Sequence, residues 1–135
     1  MIKKYAIAIH GGAGTILRTN MTNEIEQKYK TALNESILAG ENILLNSGLA
    51  IDAVEAAIRS LENNPLFNAG KGSVFSNEGE HEMDASLMNG KDLMAGAVAG
   101  VKNVKNPITL AKSVMQHSNH VFMAGHGAEV FAKQL

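Results

Sequence analysis

The stretch HEMDASLMNGKDLMAGAVAGV, residues 81–101, decides how the chain is read. From His81 to Met88 the residues alternate, with Met83, Ala85 and Leu87 on one side and Glu82, Asp84, Ser86 and Met88 on the other. A period of two is that of a strand with one buried face. Asn89, Gly90, Lys91 and Asp92 carry turn chemistry, and Leu93 to Val101 follows as a run of small apolar residues. Two such runs about a turn predict a β-hairpin.

Upstream, Lys4 to His10 alternates Tyr5, Ile7 and Ile9 with Ala6, Ala8 and His10, apolar on both faces, and predicts an interior strand. It runs into a loop holding Gly11, Gly12 and Gly14. A helix is expected over Asn23–Leu45, with a ridge of Ile25, Tyr29, Leu33, Ile37, Ile43 and Leu44 and with Asn23 and Glu26 as a capping box. A second is expected over Ala50–Glu62, with Val54, Ala57, Ile58 and Leu61 on its apolar face. Between it and the hairpin lies LENNPLFNAGKGSVFS, residues 61–76, which has no period but carries Leu66 and Phe67, as an ordered loop would. Downstream, Asn106 and Pro107 signal the start of a helix bearing Ile108, Ala111, Val114 and Met115. A short strand, Val121 to Ala124, and a helix from Gly127 to Leu135 complete the chain. This order predicts one α/β-type domain, or part of one, over residues 1–135 that mixes antiparallel pairs with packed helices.

Composition narrows the function. Twelve basic against thirteen acidic residues leave a net charge of -1, which speaks against nucleic acid or an anionic membrane as partner. There is no cysteine, so no disulfide, thiolate metal site or cysteine nucleophile. No apolar run approaches the roughly 18 residues of a membrane span, and the start lacks a secretory apolar core. A soluble protein, cytoplasmic by default, is expected.

Several residue groups could carry chemistry. The glycine loop could cradle phosphate, yet neither the spaced third glycine with an immediate helix nor a lysine–hydroxyl pair follows, so a tight turn competes with a nucleotide site. His117, His120 and His126 lack the pairing of a metal motif, and His10 suits a backbone hydrogen bond better than a metal. Asp84 is either an active-site carboxylate or an acceptor for loop amides. The Leu61–Gly72 loop turns carbonyls inward, which water or a hard cation of low charge would satisfy, though a plain packed loop does so too.

Taken together, IHGGAG, NPLFNAGKGSVF, HEMDASLMNG, AGAVAGV, NPITLAKSVM and HVFMAGHGAEVFA resemble the N-terminal part of the plant-type asparaginase and isoaspartyl peptidase family of N-terminal nucleophile hydrolases. The likeness runs from residue 7 to 132. It implies a four-layer α-β-β-α sandwich of which this chain supplies the N-terminal half. It implies a precursor that cleaves itself into α and β chains, with a threonine opening the β chain as nucleophile. Thr15, Thr19, Thr22, Thr31 and Thr109 are the only threonines, and none has that context, so the sequence resembles an α chain that is not the whole catalyst. The implied chemistry is hydrolysis of L-asparagine to L-aspartate and ammonia and of β-aspartyl dipeptides, with no catalytic cofactor.

By motif, Asn68 matches an asparagine that reaches toward the nucleophile, and Gly11 and Gly12 match a loop beside it. The main-chain carbonyls of Leu61, Glu62, Asn64, Phe67, Ala69 and Lys71 match those holding a structural sodium ion. The implied partners are the β subunit, in an (αβ)2 heterotetramer, and a small-molecule substrate. A non-catalytic structural or binding module is the alternative.

Overall fold

A computed structural model describes residues 4–12 and 21–135; Gly14, Thr15 and Thr19 of the sequence reading lie outside them. Its elements are helices α1 (Asn23–Leu45) and α2 (Ala50–Glu62), strands β1 (Met83–Met88) and β2 (Ala95–Val101), helix α3 (Pro107–His117), strand β3 (Phe122–Ala124) and helix α4 (Gly125–Ala132). The hairpin stands as expected: β1 and β2 pair antiparallel, and β3 adds to β2 in parallel, giving the order β1-β2-β3. No described helix is long and apolar enough to cross a membrane.

The core lies on one side of this sheet. Met83 and Leu87 of β1 and Val98 and Val101 of β2 point into it, against Ile108, Leu110, Ala111, Val114 and Met115 of α3. Ile108, Val98, Val101 and Val114 are almost wholly sequestered, and burial of each such side chain contributes about 1.5–3 kcal/mol. Contact is close because β2 presents Gly96 to α3: a Cβ there would overlap the Ala111 carbonyl and lie 2.8 Å from Met115. The ridge read for α3 is the one buried.

The opposite side of the sheet is open. Ser86, Ala97 and Phe122 share one row across the three strands, and Met88 and Ala95 share another. Phe122 is 57% and Met88 58% exposed, so apolar side chains face solvent.

Helices α1 and α2 form an antiparallel pair beside α3. The buried residues of α1 are Ala32, Ser36 and Gly40, and the Ser36 hydroxyl donates to the Ala57 carbonyl of α2 at 2.9 Å. The apolar ridge expected on α1 is therefore not its closest seam: Ile25 is 38% exposed, and Leu33 and Ile37 are half-buried. Small side chains at a four-residue spacing let the backbones approach, whereas the ridge meets a different neighbour. The N-cap is Thr22, not Asn23. Its side chain accepts from the Ile25 N–H at 3.2 Å, which a threonine in extended geometry does as well as an asparagine.

That neighbour of the ridge is the Lys4–Gly12 run. No β-ladder includes it among the described residues, so the expected strand is an extended segment instead. It lies antiparallel along α1, with the Tyr5 hydroxyl donating to Glu41 at 3.0 Å, Ile7 against Gly40, and Gly11 against Leu33. Ile7, Ile9 and Gly11 are half-buried, and Ala6, Ala8 and His10 are exposed. The alternation is that of a strand; a strand needs a hydrogen-bonded neighbour, and no described element supplies one.

Candidate functional site

Phe67 joins the two motifs at the centre of the reading. It is buried, with its ring edge-on to Tyr29 of α1 at a centroid distance of 5.8 Å, and a Cβ at Gly11 would come 3.2 Å from it. Gly11 thus packs closely, a Cβ there also reaching Leu33 at 2.7 Å, and Gly12 is favoured by its backbone, whose φ of +107° disfavours any other residue. Gly11 is thereby seated on the residue that precedes Asn68.

Asn68 is exposed, and its Oδ1 accepts the Val74 N–H at 2.9 Å. Its amide nitrogen takes no partner among the described residues. It borders a cleft of about 230 Å3 lined also by Ser73, Glu82 and Asp84. A wider depression of about 460 Å3 lies alongside, lined by Lys71, His81, Lys102 and Lys105, with the Ser73 hydroxyl 3.0 Å from His81 Nδ1.

The loop behind Asn68 is rich in carbonyls. Those of Leu61, Phe67 and Ala69 accept N–H groups of Asn64, Ala69 and Gly72 at 2.8–3.0 Å. Those of Glu62, Asn64 and Lys71 take no hydrogen bond from a described residue. The chain folds so tightly that a Cβ at Gly70 would overlap the Glu62 carbonyl, and one at Gly72 the Phe67 carbonyl. Each carbonyl oxygen has two lone pairs, so this set retains acceptors for a hard cation. The residues present fit such an ion.

The sequence reading missed the side chain of Glu62. It is buried, its two oxygens accept the Ile108 N–H and the Asn106 side-chain amide, both at 2.9 Å, and it closes the N-terminus of α3 from the end of α2. Burial pushes its carboxyl above the ordinary value, against the pull of the Ile108 N–H. Asn106, expected as the cap, makes no side-chain cap bond and instead braces Glu62. A charged residue ending an amphipathic helix gives no sign that it will turn inward.

Other polar groups have structural employment. Asp84 accepts the Gly100 N–H at 2.8 Å, at a bulge where it faces both Ala99 and Gly100 and where Gly100 has a φ of +62°. The role is that of a main-chain acceptor, though the amide it takes belongs to strand β2 and not to a loop. Lys112 of α3 bridges Asp52 and Glu55 of α2 at 2.6 Å each. Burial pushes the Glu55 carboxyl up, but bonds from Lys112 and Thr109 outweigh it and hold it low. Glu129 of α4 accepts the N–H groups of Lys102 and Asn103, at 2.8 and 3.0 Å, which hold its carboxyl down to about 2. His117, His120 and His126 are all exposed, and among the described residues no group of three His, Asp or Glu is arranged to hold a metal ion.

The family model described as Asparaginase matches residues 3–135. The isoaspartyl peptidase of Salmonella typhimurium is 50% identical over 97% of this chain and 42% of its own length. That of Escherichia coli is 49% identical over 96% and 40%, and the plant-type L-asparaginase of Pyrococcus abyssi 51% over 95% and 40%. The chain spans about two fifths of the length of the curated relatives it matches.

Proposed function

Because the chain belongs to the asparaginase family, we propose that it is the α-subunit part of a threonine-dependent amidohydrolase. The enzyme would cleave L-asparagine to L-aspartate and ammonia and hydrolyse β-aspartyl dipeptides. The nucleophile would be the N-terminal threonine of a β part made from the same precursor by autocatalytic cleavage. Its hydroxyl attacks the amide carbon, its own α-amine takes the proton and gives it to the nitrogen as the C–N bond breaks and ammonia or the peptide amine leaves, and water then releases the aspartyl ester. This chain would contribute scaffold to that reaction, not its reacting atoms.

One observation carries the reading: Asn68, which lines the cleft, is held by its oxygen, its amide N–H groups take no partner among the described residues, and it stands beside the Phe67 against which Gly11 lies. A fixed donor of this kind suits the threonine or the oxyanion it creates. The carbonyls of Leu61, Glu62, Asn64, Phe67, Ala69 and Lys71 would hold a sodium ion. That ion supplies positive charge that locks the loop, and the chain's own Gly70 and Gly72 give the loop its compactness. The open sheet face and the unladdered Lys4–Gly12 run support a second sheet, completed by the β part, in a four-layer sandwich and an (αβ)2 assembly.

The test is ammonia release from L-asparagine by the complete precursor, read beside intact-mass analysis. A second chain beginning with threonine together with activity is expected. An uncleaved, inactive precursor would overturn the reading in favour of a non-catalytic module.

A further inference from the structure

The β1–β2 turn, which the proposed function leaves unused, presents Asn89 followed by Gly90 in an unusual set of contacts. The Lys91 N–H donates to Asn89 Oδ1 at 3.2 Å, and Asn89 Nδ2 donates to Asp92 Oδ2 at 3.0 Å. The Asn89 main chain is clamped too, its N–H to the Met94 carbonyl and its carbonyl to the Leu93 N–H, each at 2.8 Å. Gly90 is exposed, its N–H takes no partner among the described residues, and a Cβ placed on it would meet nothing within 4 Å.

We propose that Asn89 is a self-modification site, at which the folded turn promotes loss of the side-chain amide and formation of an isoaspartyl linkage to Gly90. The Gly90 nitrogen gives its proton to solvent base and bonds to Asn89 Cγ. The Cγ–Nδ2 bond then breaks, and ammonia leaves with a proton from water. Water opens the resulting succinimide at either carbonyl, giving an aspartyl or an isoaspartyl residue at position 89. No oxidant or other co-reactant enters.

Each contact serves a step. The absence of a side chain on Gly90 removes the main steric barrier to attack. The Lys91 N–H stabilises the oxyanion that forms on Oδ1, as a fixed donor does in an acyl-transfer site. Asp92 and the clamped main chain restrict the side-chain amide to one orientation within the turn, sparing part of the entropy that a free chain would lose. The consequence is local: a carboxylate replaces an amide beside Asp92, two like charges then face each other, and the hairpin loses the Asn89–Asp92 bond.

The experiment incubates the purified native protein and the same protein in denaturant at mildly alkaline pH and maps peptides with isomer-resolved mass spectrometry. The isoaspartyl product is expected at Asn89, several-fold faster in the native arm. Asn89→Gln should abolish it, and Asp92→Ala should lower the native rate to the denatured rate without changing the latter. A native rate at or below the denatured one, or native product formed chiefly at other asparagines, would overturn the proposal. Neither result bears on hydrolase activity, so the proposal stands or falls apart from the proposed function.

Discussion

The two sides of the β1–β2–β3 sheet are built from the same strands and end in opposite states. On the inner side Val98, Val101, Met83 and Leu87 are closed over by α3; on the outer side Phe122 and Met88 stand in solvent. The Lys4–Gly12 run repeats the contrast, with Ile7 and Ile9 against α1 and Ala6 and Ala8 uncovered. The inner side reports how the chain folds, and the outer side is the surface that the proposed β part would cover.

The inner side should be the more sensitive to substitution. Ile108→Ala is expected to cost about 2–5 kcal/mol, seen as a lowered denaturation midpoint. Gly96→Ala should cost about 1–3 kcal/mol, because its Cβ drives α3 off the sheet at Ala111. Phe122→Ser, on the outer side, should change the stability of this chain by within about 0.5 kcal/mol while weakening assembly with the proposed β part. Equal losses from Ile108→Ala and Phe122→Ser would erase the distinction.

Two carboxylates sharpen the contrast through pH. Glu129 takes two main-chain N–H groups at an exposed turn and lies near 2, below its ordinary 4.5. Its contribution is present above 4.5 and lost as pH falls toward 2. Glu62 accepts a comparable N–H but is buried and lies above 4.5. The contribution from its raised value is present below 4.5 and lost as pH rises through the folded value. Denaturation followed against pH should therefore show Glu129→Gln flattening the acid limb and Glu62→Gln flattening the fall above 4.5. The same slope in both variants would contradict this assignment.

Local pattern made much of this legible. The bounds of α2, the buried ridge of α3 and the hairpin follow from periodicity, Pro107 and the Asn89–Asp92 turn, each of which acts within a few residues. What escaped depends on distant partners. Glu62 turns inward because the N-terminus of α3, 46 positions on, offers it an N–H. Ala32, Ser36 and Gly40 form the seam of α1 because Ala53 and Ala57 are small as well. Of the candidate site, the placing of Asn68 and Gly11 about Phe67 became visible only in three dimensions; the motif alone could not seat one loop on the other.

The Lys4–His10 segment offers the most direct test of whether the outer surfaces await a second half. Its sequence is that of a strand, and its described neighbours give it no ladder. Amide hydrogen exchange can be followed at Ala6, Ala8 and His10 in this chain alone and in the complete precursor. Fast exchange alone and strong protection in the precursor are predicted. Equal exchange in both would contradict the account.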